Sequence, residues 1–260
     1  MTQAVLALAD GTVFVGESFG AAQKVVGEVV FNTSMFGYQE ILTDPSYAGQ
    51  IVTMAYPEMG NVGTNALDAE SAGPHAVGMA VRALSSRPSN WRSELPLEAF
   101  LEKHGRAGIS GIDTRRLVRH LRTRGSQMGV LASGDKLDIN ALVDEAREAP
   151  GMEGQDLVSG ISTREAYVFE TPTPDFLAGQ APRMVTPRFE VVTIDYGLKR
   201  SMLHQLVDVG CRVTVLPSGA SAEEILARGP DGVFLANGPG DPAAVPGADR
   251  TVAALLGKVP

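Results

Sequence analysis

The sequence predicts an α/β protein in two parts. A β-rich α+β N-terminal domain spans residues 1–150, a connector spans 151–188, and the first half of a doubly wound parallel sheet spans 189–260. Three observations predict this. Short, apolar, β-branched runs recur through residues 4–81 with little helical spacing among them. Pro172, Pro174, Pro182 and Pro187, with Gly179, then interrupt the chain where apolar periodicity is weak, as a linker does. From residue 189 strand-like and helix-like runs alternate as β-α-β-α-β-α. Their strand starts are about 20 residues apart, which suits a parallel sheet with right-handed crossovers.

Composition narrows the function classes. The chain has 260 residues, 44% of them hydrophobic and 20% charged, enough to bury a sizeable core. Its formal charge is 22 − 30 = −8, which argues against general binding to nucleic acid or a membrane surface. No apolar run approaches the ~20 residues that span a bilayer. The opening MTQAVLALADG has no positive n-region and meets Asp10 early, unlike a signal peptide. The single cysteine, Cys211, excludes an internal disulfide and a multi-cysteine metal site. His75, His104, His120 and His204 fall in no metal-binding spacing. The expectation is a cytoplasmic protein without a bound metal.

In the first part, strands are expected over 4–8 and 12–15, flanking the turn pair Asp10-Gly11. Further strands are expected over 25–33, 50–56 and 76–81. Residues 96–104 have helical spacing and end at Gly105. A short strand is expected over 107–110. Asp113 then caps a helix that Gly125 ends, with Leu117, Val118 and Leu121 as its apolar stripe and five arginines around it. The spacing favours a solvated amphipathic helix over a basic docking face. A strand over 127–132 and a helix over 139–148, capped by Asp138, complete the domain. Residues 151–167 are expected to pack on it as an irregular tail. Between two apolar strands, residues 31–47 are dense in hydroxyls, amides and aromatics. Asp44-Pro45-Ser46-Tyr47 is a turn able to present the Ser46 hydroxyl to a ligand of a neighbouring domain. No His/Asp partner marks Ser46 as a nucleophile.

In the second part, 191–195 is a strand, 198–209 a helix that stops at Gly210, and 211–216 a strand. Ser221 caps a helix over 222–227, with Glu224 completing a capping box. A third strand follows over 231–236 and a third helix over 249–256. The third strand breaks into Asn237-Gly238-Pro239-Gly240-Asp241-Pro242. Two prolines and two glycines there permit a sharp turn whose backbone N–H groups approach a ligand closely. The carboxyl ends of parallel strands are where such sheets bind substrates. The turn after 195 has neither a GxGxxG nor a Walker pattern, so both nucleotide readings fail. A complete sheet of this type has about five strands or more. Only three precede Pro260, so the chain reads as a fragment of a longer protein.

Four stretches resemble one family, the small, glutamine-hydrolysing subunit of carbamoyl-phosphate synthase. They are GEVVFNTSMFGYQEILTDPSYAGQIVTMAYPEMGNVGTN at 27–65, GISGIDTRRLVRHLRTRG at 108–125, the turn Asp195-Tyr196-Gly197-Leu198-Lys199, and FLANGPGDP at 234–242. The last alone would indicate only the wider class I glutamine amidotransferases. The resemblance implies a class I amidotransferase domain after an N-terminal domain that contacts a large synthetase subunit. It implies glutamine binding by Ser46, Gly238 and Gly240, with the Gly238 N–H in the oxyanion hole. Fixed donors of that kind stabilise the charge that develops on oxygen when a thiolate attacks the glutamine amide. It implies no cofactor in this subunit, with ATP and Mg on the large one. The family's nucleophilic Cys, and its His and Glu, match no position in this sequence, so the chain alone is expected to be inactive. Two readings follow: a subunit that supplies ammonia from L-glutamine for carbamoyl phosphate synthesis, or a non-catalytic docking module.

Overall fold

Gly11 takes φ +91° and reverses the chain between β1 (Gln3–Leu8) and β2 (Val13–Gly20), closing the expected hairpin. The computed structural model describes residues 2–174 and 185–260, which fall into two units dividing after Met152. In the first unit the chain continues through β3 (Val25–Asn32), α1 (Tyr38–Thr43), β4 (Gln50–Met54), β5 (Glu58–Met59), β6 (Gly78–Ala80) and β7 (Ala83–Leu84). It then forms α2 (Leu97–Lys103), β8 (Ala107–Ser110), α3 (Thr114–Arg124), β9 (Gln127–Ser133) and α4 (Ile139–Glu148).

Seven of these strands close into a barrel in the order β1-β2-β8-β6-β4-β3-β9. Antiparallel pairing of β1 with β9, Leu6 opposite Leu131, seals it and leaves no open edge. One apolar cluster draws on all seven strands, with Leu6, Leu8, Phe14, Val29, Ile51 and Ile109 among its members. Leu117 and Leu121 of α3 join it. The odd residues of β1, Val5 and Ala7, face the other way and pack on Leu142, Val143 and Ala146 of α4. The period-2 alternation of a strand thus serves two cores at once.

The caps explain where the helices begin. The Asp113 carboxylate accepts from the Arg116 N–H at 2.9 Å, and the Asp138 carboxylate accepts from the Asn140 and Ala141 N–H groups. Gly125 ends α3 at φ +89°. The bounds of α3 and α4 match the sequence expectation.

The second unit holds α5 (Val158–Ile161), β10 (Tyr167–Phe169), β11 (Phe189–Asp195), α6 (Arg200–Asp208), β12 (Cys211–Pro217), α7 (Ala222–Leu226), β13 (Gly232–Leu235) and α8 (Ala248–Leu255). Its sheet runs β10-β12-β11-β13, with β11 parallel to both neighbours and β10 antiparallel at the edge. Val192, Ile194 and Leu216 pack with α7 and α8, whereas Val213 and Val215 pack with α6. Helices therefore cover both faces of a mixed α/β sheet.

One expectation is overturned. The tail after residue 151 is expected from the sequence to be irregular and to go with the first domain. From Glu153 onward the described residues belong to the second unit, where β10 adds a strand to its sheet. Pro182 and Gly179 lie outside the described residues.

Candidate functional site

The carboxyl ends of β11, β12 and β13 carry the loops that form the candidate site, and Asp195 organises the first of them. It ends β11 and is 9% exposed. One carboxylate oxygen accepts from the N–H groups of Gly197 and Leu198, at 3.1 and 2.9 Å, and the other from the Thr163 N–H at 2.7 Å. A buried carboxylate is costly unless its lone pairs are filled, and in this loop backbone donors fill them.

The second loop, Asn237 to Asp241, follows β13 and lies against the first. A Cβ on Gly238 would stand 2.0 Å from the Tyr196 carbonyl oxygen, and one on Gly197 would stand 2.9 Å from the Gly238 Cα. The two turns approach backbone to backbone, which only glycine permits. Gly240 is glycine for a further reason, its φ of +73°. Asp241 closes the loop by accepting from the Ala243 N–H at 2.9 Å and the Gly154 N–H at 3.2 Å. Gly238 and Gly240 are both exposed, and among the described residues no acceptor takes the N–H of either. The loop thus offers exposed backbone donors without an acceptor among the described residues, of the sort that stabilise a developing oxyanion.

Residues 154–163 run across these strand ends. They touch the β11 loop through Thr163 and Asp195, and the β12 loop through the Ser218 N–H donated to the Ser162 hydroxyl at 2.9 Å. They reach the β13 loop through Gly154 and Asp241, and Val158 packs close to Gly238. Asp195, Asp241 and Ser162 escaped the sequence reading as functional positions. The signals were an Asp two residues before Gly197 and an Asp followed by Pro242, both short side chains that hold nearby backbone N–H groups.

Of the residues singled out in sequence, Gly238 and Gly240 share the β13 loop. Ser46 belongs to the barrel unit, in a 3-10 turn at Pro45–Tyr47. Asp44 accepts from the Ser46 N–H at 2.8 Å, and Asn32 donates its amide to the Tyr47 hydroxyl at 3.0 Å. These bonds fix a half-buried Ser46 on the barrel.

Cys211 stands opposite Phe189 at the start of β12, whereas the site loops begin near the Asp195–Pro217 pair. The intervening six steps of strand span about 20 Å. The thiol is buried, and burial raises its pKa, so the thiolate is disfavoured. No group of three metal-ligating side chains occurs among the described residues, and no helix there is long and apolar enough to cross a membrane.

Comparison with known proteins places both halves of the chain in one family. A family model for the carbamoyl-phosphate synthase small chain, CPSase domain, matches residues 6–131, and one for class I glutamine amidotransferases matches residues 192–260. The carbamoyl phosphate synthase small chain of Syntrophotalea carbinolica is 50% identical over 99% of this chain and 68% of its own length. That of Parasynechococcus marenigrum is 51% identical over 94% of this chain and 63% of its own. That of Vibrio cholerae is 51% identical over 92% and 64%. The chain therefore spans roughly two thirds of the length of the curated relatives it matches.

Proposed function

Because this chain belongs to the carbamoyl-phosphate synthase small chain family, we propose that it is the glutamine-binding part of a glutaminase subunit. In this reading, glutamine hydrolysis supplies ammonia to a large synthetase subunit, which makes carbamoyl phosphate from bicarbonate and ATP. The observation that carries it is the β13 loop. Gly238 is packed against Tyr196 so closely that no side chain fits, the residue is exposed, and no acceptor takes its N–H among the described residues. Such a donor, fixed before the reaction, is what an attacked amide carbonyl needs.

Within this reading the sheet of the second unit is the beginning of a doubly wound amidotransferase sheet. Gly238 supplies an oxyanion-hole donor, and Gly240 and Ser46 bind glutamine. The domain limits read from the sequence, with the first domain ending near residue 150, accompany that assignment. ATP and Mg belong to the large subunit and this chain needs neither, while the complex works in the cytoplasm. The 260-residue chain does not itself hydrolyse glutamine. Its only cysteine lies at the wrong end of β12, buried, with a thiol held protonated.

Isothermal titration of the chain with L-glutamine, together with ammonia release in the presence of the large subunit, tests the proposal. Binding that Ser46→Ala weakens about tenfold, a loss of about 1.4 kcal/mol, with no ammonia release, is expected. Ammonia release that vanishes in Cys211→Ala would overturn the reading of the cysteine. Tight association with the large subunit but no glutamine binding would leave only the docking-module reading.

A further inference from the structure

We infer that the arginine face of α3, with the groove beside it, docks an acidic, partly apolar protein segment, and that this segment belongs to the large synthetase subunit. The second clause rests on the function proposed above. Arg115, Arg116, Arg119, Arg122 and Arg124 are all exposed, while Thr114, Leu117 and Leu121 turn inward. Among the described residues none of the five enters an ion pair, although acids outnumber Lys and Arg 30 to 22. Elsewhere Lys24 reaches Glu145, Arg147 reaches Asp144, Arg212 reaches Glu170 and Arg228 reaches Glu224, so surface carboxylates of this chain do take up cations. A shortage of carboxylates does not explain the bare face.

Helix physics does not explain it either. Arg122 and Arg124 suit the last turn, where the helix dipole favours cations, but Arg115 and Arg116 sit in the first turn, where it opposes them. Arg115 and Arg119 are an i,i+4 like-charge pair, and Arg119 adds i,i+3 pairs with Arg116 and Arg122, each unfavourable to the isolated helix. Arg116 has a local role, its guanidinium lying 4.6 Å from the Phe14 ring centroid. The side chains of the other four make no hydrogen bond or ion pair among the described residues.

The groove identifies the occupant. Ala55, Pro57 and Val118 line it beside Arg82, Arg115 and Arg119, with Thr114 and with Asp113, whose carboxylate caps α3, so apolar surface and an excess of cations face the same space. A bare phosphate has no use for the apolar wall. The phosphate backbone of a nucleic acid would likewise leave that wall unfilled, and a net charge of −8 opposes a long polyanion more than a short acidic segment. An extended or helical segment bearing Glu or Asp next to an aliphatic side chain satisfies both. Guanidinium forks suit carboxylates, which they grip in pairs.

The test measures binding of the full chain to its large subunit at about 50 and about 300 mM NaCl, where screening lengths differ by about 2.4-fold. Arg115→Glu/Arg119→Glu is expected to weaken binding at least about tenfold at low salt and to flatten the salt dependence. Arg115→Lys/Arg119→Lys, which keeps the charge, is expected to stay within about threefold of the parent. Both side chains are exposed, so thermal melting of each variant should match the parent. Equal binding by the Glu variant, or parent binding indifferent to salt, overturns the inference while leaving the proposed function standing. Failure of the parent to bind the large subunit at all sinks both. An oligonucleotide that binds the parent in a salt-dependent way and displaces the large subunit would reassign the face and likewise overturn it.

Discussion

Gly238 and Gly240 stand two residues apart on one loop, yet they are glycine for different physical reasons, and substitution separates them. Alanine at Gly240 meets ordinary or slightly tight neighbours, with the Gln155 carbonyl at 3.2 Å, but must hold φ at +73°. That left-handed backbone costs an L-residue about 1–2 kcal/mol. Alanine at Gly238 has no such strain. Its Cβ would sit 2.0 Å from the Tyr196 oxygen, so the turn itself must move. Overpacking of this kind costs about 1–3 kcal/mol, and it shifts the one N–H assigned to the oxyanion. Gly240→Ala is therefore expected to lower Tm and to weaken glutamine binding less than Gly238→Ala does. Gly238→Ala should lower both. Equal losses of binding would remove the special role of Gly238. Asp10 supplies a second test at this scale. Burial alone would raise its pKa, but hydrogen bonds from the Thr12 N–H and hydroxyl, the Gln127 amide and His120 outweigh it and lower the value from 3.8 to about 2. A carboxylate depressed in the folded state stabilises above its unfolded pKa, and the gain is lost as pH falls through the folded value. The site is partly exposed, so screening leaves about 1 kcal/mol. Asp10→Asn should melt lower than the parent above pH 4, with the gap closing towards pH 2. A gap independent of pH would contradict a stabilisation that depends on the ionised carboxylate.

At the scale of the element, α3 divides its work between two faces. Leu117 is fully buried in the barrel core, so Leu117→Ala should cost about 2–5 kcal/mol. Removing the cap with Asp113→Ala should cost about 1 kcal/mol. Arg115→Ala and Arg119→Ala should cost nothing measurable by denaturant titration, since each relieves like-charge contact worth about 0.2–0.5 kcal/mol. A loss above about 1 kcal/mol would make the arginines structural and weaken the case for a docking face. This helix was legible in the sequence because each boundary has a local cause, an Asp whose side chain reaches forward and a Gly with positive φ. Other elements had no such cause. Helix α1 begins after Gly37 in a left-handed conformation with no side-chain cap, inside a run of polar and aromatic residues that reads as a loop. The two-residue strands β5 and β7 exist only because they pair with each other. Strand β10, in a stretch read as linker, is held by pairing of Tyr167 with Val215, nearly fifty residues away in sequence.

At the scale of the molecule the same limit recurs. The strands of the first unit could be read one by one, but closure of the barrel rests on β1 meeting β9 across more than a hundred residues, which no local pattern announces. The Gly238 and Gly240 loop was legible because Gly and Pro write turn chemistry directly. The carboxylates that hold it, Asp195 and Asp241, were not, because their partners Thr163 and Gly154 lie far back in the chain. The two units also differ in how their sheets end, and this leads to a prediction about stability. The barrel has no edge, and its β1 is buried from Ala4 to Leu8. In the second unit Thr193 and Ile194 of β11 are fully buried, yet β13 beside them has Val233 and Phe234 only half-buried and Leu235 40% exposed. Parallel strands derive their stability from cover on both faces, and an apolar edge with partial cover opens first. Among the described residues each unit has its own apolar clusters. Denaturant unfolding should therefore resolve two transitions, the second unit at the lower concentration. Native-state hydrogen exchange should rank the amides of β13 as faster than those of β11, and both as faster than β1. A single transition with uniform protection would mean that the units share their stability, and that the exposed face of β13 carries none of the weakness assigned to it.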